Sequence, residues 1–226
     1  LPMVAPMAER MGLDRDLALA EMTGVRYHAD QITTAAALPA LARAKGAGLD
    51  VSAGVSIHHL TLNILDIGEY RTFFKVKPPL RDEEDRRAVV AAVRDGLIDM
   101  VCSMHTPQDE ESKRHPFEAA ASGAVGLETL LPAALRLYHA GDMTLPHLFR
   151  ALAFNPAQRF GVPGGHMRVG APADLVLFDP DVPYVLDRFT LRSKSKNTPF
   201  DGQRMQGRVE KTWVAGNIVF DRGVTR

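Results

Sequence analysis

The 226-residue sequence predicts an α/β fold: a parallel sheet with crossover helices, followed by a small β domain. Three observations carry that expectation. Over the first hundred residues, amphipathic stretches alternate with short apolar runs, and glycines separate them. The apolar runs end in polar loops, as strands do in sheets whose carboxyl ends build a site. Past a turn-rich hinge, only short β-like runs remain.

Taken in order, MGLDRDLALAEMT (11–23) places apolar residues at helical spacing, and Gly24 is a natural stop. VRYHADQITT reads as a strand and its loop. Ala35 to Lys45 is helical again and ends at Gly46 and Gly48, after which LDVSAGVSIHHLTL supplies the next strand. RDEEDRRAVVAAVRDG is the clearest helix: acidic residues load its first turn, Val89, Val90 and Val93 share a face, and Gly96 closes it. LIDMVCS is the strand that follows. Three strand ends result, at His28 to Gln31, Ile57 to His59, and Ser103 to Gln108. After Gly126, LETLLPAALRLYHAG and TLPHLFRALAFNPAQRFG are amphipathic helices, and NPAQRFGVPGG is a hinge. ADLVLFDP, GRVEKTWVAG and NIVFDRG are the β runs. Three strand–helix units are too few to close a (β/α)8 barrel, which takes about 250 residues. The chain therefore reads as the C-terminal portion of something longer, with residues 1–160 a partial barrel and 161–226 the small β domain.

Composition narrows the function classes. With 46% hydrophobic and 24% charged residues, the chain is globular and can bury one sizeable core, or one core with a satellite. Lysine plus arginine (27) balances aspartate plus glutamate (27), so no global field draws it to nucleic acid or to an anionic membrane. No apolar run approaches the ~20 residues of a membrane span, and the first residues lack the order of a signal peptide. The single cysteine, Cys102, excludes an internal disulfide framework and fits a reducing compartment. A cytoplasmic location is expected.

Several runs carry a family resemblance: HHLTL with FFKVKPPLRDEEDR, HTPQD with KRHPFEAAASGAVGLETLLPAAL, FNPAQRFGVPGG, VGAPADLVLFDPD, SKNTPF and GRVEKTWVAGNIVF. Together they are similar to the C-terminal half of the dihydroorotases of the amidohydrolase superfamily, over essentially the whole chain. The resemblance implies the C-terminal portion of a (β/α)8 amidohydrolase barrel plus a small β-sandwich-like domain completed by residues preceding Leu1. It also implies a metal-dependent enzyme of pyrimidine biosynthesis that interconverts N-carbamoyl-L-aspartate and dihydroorotate. In such chemistry one or two divalent metals, usually zinc, polarise a carbonyl and activate water, and an aspartate moves the proton. The family's His-x-His metal pair would precede Leu1.

Position by position, the resemblance exposes departures. Where the family writes Asp-His-Ala-Pro-His after the last strand, this chain has Met104, His105, Thr106, Pro107 and Gln108. A thioether neither accepts a proton at neutral pH nor binds zinc well, so both roles of the aspartate are lost at Met104. Gln108 and Lys77 stand at substrate-binding positions of the family, and Gln31 stands where it has a metal-binding histidine. His58 alone survives at a metal-ligand position, with His59 beside it, and His105 keeps its place without being a ligand. A substitute set of His28, Asp30 and His58 is disfavoured, and Asp109 lies too far along the loop to replace the acid. His115, His139, His147 and His166 lack metal spacing, Cys102 reads as a strand hydrophobe, and DEESKRH reads as a solvated loop.

These replacements point to a dihydroorotase-family assembly subunit with an impaired or inactive site, of the kind that partners aspartate carbamoyltransferase. Zinc is the metal expected if one binds. An oligomer, or a complex with the missing N-terminal half, is expected as well, because a partial barrel exposes strand edges and apolar helix faces. Two alternatives stay open: an active dihydroorotase, or a related cyclic amidohydrolase such as a hydantoinase for which Lys77 and Gln108 are respecified contacts.

Overall fold

The computed structural model describes residues 3–224. Helix α1 (Pro6–Thr23) opens on a proline, which has no amide hydrogen to satisfy in a first turn. It closes at Gly24, whose φ of 67° lets its N–H reach back to the Ala20 carbonyl. Its inward residues are Leu13, Leu17 and Ala20. Strands β1 (Tyr27–Ala29), β2 (Val51–Ser56) and β3 (Met100–Cys102) pair in parallel in that order, with Tyr27 opposite Val51 and Ser56 opposite Cys102. All six residues of β2 are buried, as a central strand covered on both faces must be. Helices α2 (Leu38–Gly46) and α4 (Glu83–Arg94) make the crossovers. In α4 the Asp82 carboxylate accepts from the Asp85 N–H at 2.8 Å, three acids fill the first turn, and Val89, Val90 and Val93 are buried.

In the first half of the chain two elements differ from the sequence expectation. A 3-10 turn over Ala35–Ala37 precedes α2, and Gly46 lies inside the helix, leaving Gly48 (φ 77°) in the reversal after it. The run LDVSAGVSIHHLTL does not continue as a strand. Ser56 Oγ accepts from the His58 N–H at 3.1 Å and turns the chain into a short helix, α3 (Ile57–Thr61). A serine directly after an apolar strand is an N-cap, and that local bond competes successfully with extension of the strand.

Helices α5 (Glu110–Arg114), α6 (Leu130–His139) and α7 (Leu145–Phe149) follow, then a π-helical turn over Arg150–Phe154 and α8 (Asn155–Phe160). The expected single helix from Thr144 to Phe160 is thus broken into pieces. Pro156 donates no amide hydrogen and crowds the carbonyl four residues back, which accounts for the widened turn ahead of it.

Strands β4 (Leu175–Val185), β5 (Arg204–Val214) and β6 (Asn217–Asp221) form one antiparallel sheet in that order. Among the described residues it is a single layer, with Leu175, Val176, Leu177, Ile218 and Val219 exposed. Between β4 and β5 the chain returns to the barrel part: Leu186, Phe200 and Met205 belong to the same buried cluster as Ile57, Leu60 and Ala134. The two parts therefore share one core across the position 160/161. At the amino ends of the strands, Arg159 pairs with Asp50 and donates to the Tyr27 carbonyl, and Asn155 donates to the Asp99 carbonyl at 2.7 Å. That leaves the carboxyl ends as the face where a site can form. No helix of the described residues is long and apolar enough to cross a membrane.

Candidate active site at the strand ends

Gln31, His58, Met104 and Gln108 follow strand ends, whereas Lys77 lies on a loop well past β2. Gln31, just past β1, extends across the sheet and donates from Nε2 to Cys102 Sγ at 3.1 Å, while its Oε1 is buried without a partner. Burial pushes the Cys102 thiol pKa up and the Gln31 hydrogen bond pulls it back, so this sulfur stays protonated and is a weak nucleophile. The loop that carries Gln31 is braced from behind. Glu9 accepts from the N–H groups of Thr33 (2.8 Å) and Thr34 (3.0 Å) and pairs with Arg81, whose side chain is 3% exposed. Asp85 accepts from the Ala35 N–H at 2.7 Å.

His58 lies in the first turn of α3 and is 1% exposed. Its Nδ1 faces Ser56 Oγ at 3.2 Å, and its Nε2 is buried with no hydrogen-bond partner. Burial, with the adjacent His59 adding to it, pushes the pKa down to about 3 against a smaller upward pull from the Val125 backbone, so the ring is neutral. The Phe200 ring stacks on the imidazole, with centroids 5.9 Å apart and planes at 22°, and the Arg136 guanidinium sits 5.1 Å from the Phe200 centroid. His59 turns elsewhere. Its Nε2 donates to the carbonyls of Pro78 and Pro79 at 3.0 and 3.2 Å, and burial brings its pKa down to about 4.

Beyond β3 the backbone is shaped by glycines and by Met104. Met104 has φ of 46°, left-handed backbone that a bulky side chain rarely adopts. The chain then forms a parallel bridge between His105 and Ala124, and His105 Nδ1 accepts from the Gly126 N–H at 3.1 Å. That bond places the ring proton on Nε2. A Cβ on Gly126 would meet Ser103 O at 2.1 Å and His58 Cε1 at 3.3 Å. Only glycine allows the GLET segment this close to the strand end. Gln108 donates its N–H to Asn197 Oδ1 at 3.3 Å, and Asn197 Nδ2 donates to the Gly123 carbonyl at 3.0 Å.

The structure brings Gln31 to Cys102 and His58 to Ser56 and Phe200. Lys77 is exposed on the loop whose prolines hold His59. His28 pairs with Ser52 Oγ at 2.8 Å and packs edge-on against Phe160, which fits a structural role. His139 donates to the Pro180 carbonyl at 2.9 Å, tying α6 to the small sheet. In DEESKRH, Arg114 pairs with Glu110 and Glu111 on the surface, whereas Lys113 is buried. Phe200, Asn197, Ser56 and the Glu9–Arg81 pair also shape the site, and no motif in the sequence points to a role for them. Of these only Ser56 carried a local signal, as the cap before two histidines.

Comparison with known proteins bears on the family and the fold. The sequence pattern described as the amidohydrolase family matches residues 8–219. The chain belongs to the amidohydrolase family. This amidohydrolase chain is 40% identical over 222 residues to a protein named dihydroorotase from Anaeromyxobacter sp. (strain K), covering 97% of this chain and 51% of that one. It is 38% identical over 216 residues to one from Wolbachia sp. subsp. Drosophila simulans (strain wRi), covering 95% and 49%. Among solved structures it resembles the L-hydantoinase (dihydropyrimidinase) from Arthrobacter aurescens, with a TM-score of 0.91, 29% identity, and coverage of 96% of this chain and 49% of that one. The dihydropyrimidinase from Brevibacillus agri NCHU1002, at 24% identity over 96% of this chain and 49% of its own and a TM-score of 0.89, shares the fold. The chain spans about half the length of the relatives it matches.

The amidohydrolase family is generally metal-dependent, so the strand ends can be tested against a metal. The neutral imidazole of His58, with its unpartnered Nε2, is a competent single ligand. Its neighbours are not. Gln31 has only a neutral amide oxygen to offer, a far weaker zinc ligand than an imidazole, and Met104 presents a thioether. No group of three or more His, Cys, Asp or Glu that could hold a metal occurs among the described residues. These residues by themselves do not fit a divalent metal.

Proposed function

We propose that this chain is part of a dihydroorotase-type amidohydrolase whose strand-end site no longer performs metal-assisted hydrolysis and whose fold is retained for assembly. The observation that carries the reading is Met104. It occupies the position after β3 where the dihydroorotase resemblance places the aspartate, and no carboxylate stands in for it at that strand end. Gln31 supports the reading, because an amide replaces an imidazole at the end of β1. Zinc is the metal such a site would take in a relative that keeps its ligands. Aspartate carbamoyltransferase is the partner proposed, alongside self-association, and the exposed strand residues Leu175, Leu177 and Ile218 are apolar surface such contacts would cover.

The test is hydrolysis of dihydroorotate by the protein at its natural length with zinc supplied. Turnover at an ordinary enzymatic rate would overturn the reading. Co-elution with aspartate carbamoyltransferase in gel filtration is expected, and independent elution would remove the assembly role. The likeness to the Arthrobacter L-hydantoinase favours one second reading, hydrolysis of a hydantoin-type cyclic amide. A hydantoin included in the same assay decides it.

A further inference from the structure

A cavity of about 300 Å³ lies beside the loop after β3; of the expected site residues Gln108 lines it, whereas His58, Gln31, Met104 and Lys77 do not. Four cationic side chains line it: Lys113, Arg188, Lys194 and Lys196. Two carboxylates, Asp109 and Glu110, are the acids in its wall, and both are engaged: Asp109 caps α5 through the Ser112 N–H at 2.8 Å, and Glu110 pairs with Arg114 at 2.9 Å. Four cations against two carboxylates give the wall an excess of positive charge, and Asp201 outside it forms an ion pair with Arg188 at 3.8 Å.

Each cation keeps donors free. Lys113 is 5% exposed and donates to the Thr72 and Ala121 carbonyls at 3.0 and 2.7 Å, which uses two of its three N–H bonds. Burial first, and then Lys75, pushes its pKa down to about 8, as expected for a buried cation that lacks a counter-ion. Lys196 donates once, to the Leu191 carbonyl. Arg188 is held by aromatic faces, its guanidinium 5.2 Å from the Phe73 centroid and 4.7 Å from that of Phe189, and its Nε is 3.8 Å from Asp201, beyond hydrogen-bonding range. Lys194 is exposed and makes no ion pair among the described residues. Phe189 is 68% exposed, a large apolar ring left in water at the cavity wall.

We infer that this cavity binds a small organic phosphomonoester carrying a flat ring. A dianion answers the excess of positive charge in the wall better than a single carboxylate does, the free lysine and guanidinium donors match phosphate oxygens, and Phe189 offers a face to the ring. The volume suits a ligand at the small end of the usual range. Gln108 and Asn197 line the same cavity and are hydrogen-bonded to each other, so occupancy would brace the loop after β3. The inference is independent of whether the strand-end site turns over.

Isothermal titration calorimetry of the protein at its natural length, at low salt so that screening is weak, tests it with phenyl phosphate, inorganic phosphate and benzoate. Phenyl phosphate is expected to bind saturably and more tightly than either of the others. Lys194→Glu is expected to weaken it about tenfold, and Phe189→Ala to bring it down to the affinity of inorganic phosphate. Both residues are exposed, so circular dichroism should show each variant folded. No saturable binding up to roughly 20 mM, benzoate binding as tightly as phenyl phosphate, or indifference to both substitutions would overturn the inference.

Discussion

Phe200 is the residue through which the segment between β4 and β5 reaches the strand-end site, and truncating it has a calculable cost. The side chain is fully buried, stacked on His58 and faced by Arg136. A buried phenylalanine hides about 150–200 Å², and at roughly 25 cal/mol per Å² its loss beyond Cβ costs about 3–4 kcal/mol. Losing the contact with the Arg136 guanidinium adds about 0.5–1 kcal/mol. Phe200→Ala should therefore destabilise the protein by about 4 kcal/mol, and Phe200→Leu, which keeps most of the volume, by about 1.5 kcal/mol. Urea unfolding followed by far-UV circular dichroism measures both, with a shifted midpoint and an unchanged slope expected. A second readout is specific to the stack. Once water reaches the imidazole, the His58 pKa should climb from about 3 toward its ordinary 6.5, which an NMR titration of the ring protons follows. A loss under about 1 kcal/mol with His58 still neutral at low pH would refute the idea that Phe200 seals the site and joins the two parts of the chain.

Two further outcomes follow from buried polar groups. Because His58 and His59 are held neutral with pKa values of about 3 and 4, the unfolded chain takes up protons first as the pH falls below about 6.5. Their contribution is complete above that value and is lost on acidification down through about 4 and then 3, at up to about 1.4 kcal/mol per pH unit for each ring. The urea midpoint should fall between pH 6.5 and 4, and His59→Gln should shallow the fall; a flat profile would contradict the assigned neutrality. Glu9→Ala leaves the guanidinium of Arg81 buried without its carboxylate and removes the acceptor for the Thr33 and Thr34 amides, so a loss of about 3 kcal/mol is expected in the same assay. A change under about 1 kcal/mol would show that the brace behind Gln31 is redundant.

Periodic elements were legible in the residues; elements decided by one side chain against a distant one were not. Helix α4 follows from its acids, its valine face and Gly96, all within sixteen residues, and the parallel order of β1 to β3 follows from the alternation of strands and helices. The short helix α3 was missed because a single serine hydroxyl overrides an apolar run that otherwise reads as strand. The break before α8 was missed because the hydrophobic period continues across Pro156 while the backbone ladder does not. At the site, the replacements at Gln31, Met104 and Gln108 could be read by position, but their surroundings could not. The Gln31 bond to Cys102 spans 71 residues, and the stack of Phe200 on His58 joins parts of the chain that only tertiary packing brings together. The basic cavity is of the same kind, since Lys113 and Lys194 converge from separate segments.

Whether these strand ends still support metal-assisted hydrolysis is decided by a single paired measurement. Zinc content and dihydroorotate turnover would be measured on the same samples of the natural-length protein, beside a Met104→Asp variant. That variant should fold, because aspartate tolerates the left-handed backbone at position 104 better than methionine does. Less than one equivalent of zinc and no turnover are expected in the unmutated protein, with no recovery from Met104→Asp alone, because Gln31 still denies the site a second imidazole beside His58. Stoichiometric zinc together with turnover in the unmutated protein would contradict that expectation.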